Sequence, residues 1–216
     1  MALARALFLV SLALALVACK PARRPPPPVE QEQEVPPTPR VDSAFLRQAL
    51  GPGLELANTP LVQDIDPRPG TEALVAVHRK GKGHEVALLR GNHQVLARAP
   101  LGGKILANAA IEAVGPFKEM DLWGDGGKSF LMPVDTLVYH RSVCGILAFR
   151  YRYNSLSLVG EFATKCWRKE SGGDGGDPFA SLKVDRQGKL LRIETVDDEG
   201  KRLYRWDPSQ QAFLGN

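Results

Sequence analysis

Short apolar runs separated by glycine- and aspartate-rich turns make up most of this chain. Ala73–Val77, Val86–Leu89, Val95–Ala97, Phe130–Met132 and Leu137–Tyr139 are apolar, and Gly81-Lys82-Gly83, Gly91-Asn92, Gly102-Gly103 and Gly124-Asp125-Gly126-Gly127 divide them. Runs this short and this often broken predict strands. Near the C-terminus, Leu190–Val196 and Lys201–Trp206 alternate between turns that begin at Asp185, Asp197 and Asp207. Antiparallel strands joined by tight turns follow. One stretch keeps a helical period: Ala44–Leu50 puts Phe45, Leu46, Ala49 and Leu50 on one side, with Asp42 or Ser43 as cap and Gly51 as stop. The expected fold is all-β and antiparallel over residues 41–216, with one short N-terminal helix. A sandwich, a barrel and an incomplete propeller-like set of sheets all fit the pattern. Gly172–Asp177 is a flexible loop, but about 40 residues beyond it are too few for an independent domain. A single domain is therefore expected.

The stretch Val143–Trp167 reads as a hairpin in which Leu147, Phe149, Tyr151 and Tyr153 alternate with Ala148, Arg150 and Arg152. One face is aromatic and the other basic. A turn at Asn154-Ser155 would set Tyr153 opposite Leu156, Tyr151 opposite Leu158, Phe149 opposite Gly160 and Leu147 opposite Phe162. That register puts Cys144 opposite Lys165 and points Cys166 to the wrong face. A disulfide between Cys144 and Cys166 then needs a one-residue bulge, expected at Gly145 or Gly160. Burial of the aromatic face would leave Arg150 and Arg152 outside, as a contact surface for carboxylate or phosphate groups. The competing account is a strand face kept soluble by its arginines.

The N-terminus follows another pattern. After Arg5 come 13 residues without a charge. As a helix they would span about 20 Å, short of the roughly 30 Å hydrocarbon core, so they read as the apolar region of a secretory signal. The run ends in Leu16-Val17-Ala18-Cys19, which resembles the lipobox of bacterial lipoproteins. The resemblance implies a signal peptide over residues 1–18, diacylglycerol on the Cys19 thiol, cleavage before Cys19 and a further acyl chain on the new amino terminus. Two or more chains hold a protein stably on a membrane. Lys20 stands where some such lipoproteins carry an inner-membrane retention aspartate, so the resemblance favours the outer membrane. Residues 20–40 hold eight of the 17 prolines. With Cys19 they form a tether, residues 19–40, that favours extended polyproline II and reaches up to roughly 60 Å.

Charge and cysteine content narrow the function classes. The 28 basic and 24 acidic side chains give a net charge of +4, too small an excess to argue for nucleic acid, and none is expected as a partner. Of three cysteines, Cys19 is assigned to lipid, which leaves Cys144 and Cys166 as a pair in an oxidising envelope.

Two turns carry candidate chemistry. Asp64–Val75 and Asp121–Gly127 resemble the calcium loop and following strand of FG-GAP or VCBS repeats, which build β-propellers. In that family alternate acids hold Ca²⁺. The first turn keeps Asp64, Asp66 and Glu72 but has Arg68 in a ligand place, and the second keeps Asp121 and Asp125 but has Trp123. Calcium takes six to eight oxygens, so neither turn is expected to bind it, and no cofactor is expected. Gly127-Lys128-Ser129 ends like a phosphate-binding loop, yet Leu122 stands where its first glycine belongs. His78, His84, His93 and His140 fit no metal spacing, and no G-x-S-x-G nucleophile signature is present. The expected function is a non-catalytic binding or scaffolding domain of an envelope lipoprotein, its partner an envelope protein or an anionic glycan. The alternative is a secreted hydrolase acting on cell-envelope polymer. That would need paired carboxylates from Asp64, Asp66, Asp121 or Asp135 in one pocket.

Overall fold

The computed structural model describes residues 35–79, 83–101, 110–187 and 190–215. Cys19, the signal segment and most of the tether lie outside the described residues. Helix α1 (Ser43–Leu50) starts where the Asp42 carboxylate accepts the Phe45 N–H at 2.8 Å. It stops at Gly51, whose φ of 94° a residue with a Cβ rarely adopts. Its buried side, Phe45, Leu46 and Leu50, packs on Ala73, Val75, Val77, Ala87 and Leu89 of the first sheet.

That sheet contains β1 (Leu54–Leu56), β2 (Leu61–Gln63), β3 (Glu72–Arg79), β4 (Gly83–Arg90) and β5 (Val95–Pro100). Both β1 and β2 pair with the same edge of β3, so they form one interrupted strand. The second sheet repeats the plan with β6 (Ala110–Val114), β7 (Lys118–Met120), β8 (Ser129–Val138), β9 (Arg141–Arg152) and β10 (Ser155–Thr164), where β6 and β7 share an edge of β8. The two interruptions touch: Asn58 Nδ2 donates to the Gly115 carbonyl at 2.9 Å, and these positions are 57 residues apart. Asp64 and Asp121, and Glu72 and Ser129, keep the same spacing. The two Asp-rich turns thus occupy equivalent places in consecutive sheets. A simple meander forms the third sheet: β11 (Lys183–Gln187), β12 (Leu190–Asp197), β13 (Gly200–Asp207) and β14 (Ala212–Gly215).

The sheets stack face to face, and none closes into a barrel. Between the first two lie Leu74, Leu88, Phe130, Met132 and Phe149, and between the last two lie Leu131, Ile146, Phe162, Ile193 and Phe213. The middle sheet is buried on both faces, which is why β8 reads as a nearly continuous apolar run. Phe130–Met132 and Leu137–Tyr139, expected as separate strands, belong to or border this one strand, which runs through Pro133. The missing Pro133 N–H faces the gap between β6 and β7, where its carbonyl accepts from Gly115 at 2.8 Å. No donor is needed there.

The central hairpin turns one residue earlier than expected, at Tyr153-Asn154, with φ of 52° and 58°. Two positive φ values are what a two-residue hairpin turn of the right twist requires. Tyr151 therefore faces Leu156 and Phe149 faces Leu158. Val159 then bulges beside Gly160, and beyond it Cys144 faces Thr164. The bulge returns Cys166 to the face of Cys144. The two are joined in a disulfide with Cα atoms 4.9 Å apart.

Candidate functional site

In each of the first two sheets an arginine from the next strand stands opposite the first residue after the Asp-rich turn: Arg90 faces Glu72, and Arg150 faces Ser129. In the first turn the Glu72 carboxylate accepts the N–H groups of Ile65 and Asp66 at 2.9 and 3.0 Å. Its other oxygen accepts Arg90 Nε and Nη2 at 2.9 and 2.8 Å. Arg90 Nη2 also reaches Asp66 at 3.0 Å, and both side chains are nearly fully buried. Arg68 Nε adds a bond to Asp66 at 2.6 Å, and the Tyr151 hydroxyl another at 2.5 Å. Here two guanidinium groups fill the space a cation would take between the acids.

These contacts fix the protonation states. The hydrogen bond from Arg68 outweighs burial, and with Tyr151 it holds the Asp66 carboxyl far below the usual carboxylate range. Burial, followed by the bond to Asp66, pushes the Tyr151 phenol up to about 12. Tyr151 stays a donor and Asp66 stays an acceptor.

The second turn is built differently at equivalent positions. Asp121 accepts the Gly124 and Gly126 N–H groups at 2.7 and 3.0 Å. Arg150 bonds Asp125 at 2.7 Å and lies 4.0 Å over the Trp123 ring, in the place equivalent to Asp66. Trp123 in turn packs edge-on against Trp206 of the third sheet, 5.1 Å away. A carboxylate there would have faced this aromatic cluster, which explains why the middle acid is absent.

Both turns and the hairpin tip surround a cleft of about 550 Å³, lined among others by Asp64, Asp66, Lys128, Tyr151, Arg152 and Asn154. Asp64 is exposed, and Lys128 Nζ donates to its carbonyl. Asp64 and Asp66 thus meet in one pocket. Asp121 spends its carboxylate on the turn, and Asp135 lies toward the far end of β8, buried beside Cys144, Ser171 and Arg168. Asp135, Cys144 and Cys166 lie close enough to suggest a metal cluster, but the disulfide removes both thiolates.

The expected contact pair divides. Arg152 is exposed, whereas the Arg150 side chain is only 13% exposed because the third sheet covers its face of the middle sheet. The outward position expected for Arg150 is thereby corrected. His78 and His84 pair across β3 and β4 with ring centroids 4.6 Å apart and are half-buried. Burial, and then the neighbouring His78, hold His84 below its ordinary pKa. Sequence reasoning missed Arg90, which reads as the polar end of an apolar run before the Gly91-Asn92 turn. It also missed the Tyr151–Asp66 bond, since those residues are 85 positions apart. Comparison with protein-family models, with curated proteins and with solved structures yields no match.

Proposed function

We propose that this chain is a lipid-anchored protein of the bacterial cell envelope, held by acyl groups on Cys19 and more suited to the outer than the inner membrane. Its β domain binds another envelope component without catalysis. The observation that supports binding is the cleft formed by the two turns and the hairpin tip, whose buried carboxylate is already neutralised within the fold. A site that must donate or accept protons needs a group poised near the working pH, and Asp66 is held far from it.

One observation favours hydrolysis as a second reading: Asp64 and Asp66 both line the cleft. The two readings part on a single experiment, crosslinking in intact cells followed by purification from membranes. A binding protein yields a stoichiometric partner or glycan with wild-type protein and less with Arg152→Gln. Turnover of cell-wall polymer that is lost in Asp64→Asn would replace binding by hydrolysis.

A further inference from the structure

The tip of the β9–β10 hairpin stands between two clefts. Beside the one of about 550 Å³ lies another of about 270 Å³, whose walls include Arg150, Ser155, Ser157, Trp206 and Gln211. Arg152 and Tyr153 line both, so the clefts meet over the turn. Tyr153 is an unusual choice for that place. Two-residue turns of this kind favour Asn-Gly or Asp-Gly, yet here a bulky ring sits at φ 52° and is 83% exposed. It packs into no core cluster, and its ring lies 4.6 Å from the Arg152 guanidinium.

Polar and charged groups are set among apolar walls around the ring. Among the described residues Arg152 has no carboxylate within ion-pair distance, so its forked donors are available to an anion. Lys128, 3.9 Å from Glu119, adds a second cation. Asn154, Ser155, Ser157 and Gln211 add amides and hydroxyls, and Trp206 adds a second aromatic surface. A nucleic acid would require a larger set of cations.

We propose that the joined clefts take a length of acidic polysaccharide of the uronate type, laid across the hairpin tip. This rests on the binding reading above. A sugar face lies on Tyr153, a carboxylate is gripped by Arg152 with Lys128 nearby, and hydroxyls bond Asp64, Asn154 and the two serines. Two clefts that meet at one residue suit an extended chain better than a compact small molecule.

The test is calorimetric titration of the full chain in detergent with trigalacturonate, using maltotriose and triglutamate as neutral and peptide controls. Saturable binding of trigalacturonate is expected, weakened tenfold or more by Arg152→Gln and by Tyr153→Gly. Glycine accepts the positive φ, so Tyr153→Gly should unfold at the same or a higher temperature. Unaltered affinity in either variant, equal binding of maltotriose, or equal binding of triglutamate overturns the inference. If trigalacturonate fails to bind while a crosslinked partner still co-purifies, the ligand class is wrong and the binding reading stands. If neither binds, both fall.

Discussion

Arg90 is the residue on which the first turn depends. Its guanidinium satisfies Glu72 through two bonds and Asp66 through one, and both acids are almost wholly buried. Removing one partner of a buried ion pair strands the other charge and costs about 3–5 kcal/mol. Arg90→Met keeps much of the side-chain volume, so its unfolding free energy should fall by about that amount in urea titration. Asp66 makes a second, pH-dependent claim. Its carboxyl titrates far lower folded than at its ordinary 3.8. The stability it contributes is complete above 3.8 and is lost as pH falls below that value toward the folded pKa. Acid unfolding of Asp66→Asn should accordingly be shallower than wild type below about pH 4, although the variant is less stable at neutral pH. An equally steep acid limb would assign the acid loss to other carboxylates.

At the scale of elements, strands were legible wherever a short apolar run ended at a turn, and the C-terminal meander follows its sequence pattern closely. The interrupted edges were not legible, because β2 and β7 are only three residues long and β7 carries little apolar character. The hairpin register was legible near the tip only in the side each residue faces. Asn154-Ser155 reads as the turn because asparagine tolerates left-handed backbone, and nothing local reveals that Tyr153 does so too. The need for a bulge could be read from the conflict between apolar alternation and the cysteine positions, and Val159 supplies it. The bridge ties the start of β9 to the residues after β10 across 22 positions. Closing a loop of that size stabilises a fold by roughly 3 kcal/mol. Reduction under native conditions should lower the urea midpoint correspondingly, and thiol labelling of unfolded, unreduced protein should find neither Cys144 nor Cys166 free.

For the whole molecule, two turns of similar sequence each carry arginine on their acids: Arg90 and Arg68 in the first, and Arg150 on Asp125 in the second. Thermal unfolding should therefore coincide in Ca²⁺ and in chelator, and a marked rise in midpoint at micromolar Ca²⁺ would contradict this account of the turns.

The way the chain enters the domain leads to the last prediction. The unit that carries the sheets begins at Val35, earlier than residue 41, because the end of the proline-rich segment lies against the first sheet. Pro39 is buried, Pro36 Cδ would lie 3.4 Å from a Cβ at Gly70, and a Cβ at Gly91 would fall 1.5 Å from the Pro37 carbonyl oxygen. That last contact admits only glycine, since the clash is with backbone that no rotamer change relieves. Gly70 precedes β3 and Gly91 follows β4, so the chain enters at the end of the first sheet that carries the cleft. Gly91→Ala should push Pro36–Arg40 off the domain while α1 and the sheets persist, because Gly91 itself lies in a turn outside the core. Arg40 would then become a ready site for trypsin. Limited proteolysis should release the domain several-fold faster from Gly91→Ala than from wild type, at an unchanged far-ultraviolet circular dichroism spectrum. Equal cleavage rates would mean that the proline segment does not hold to this face.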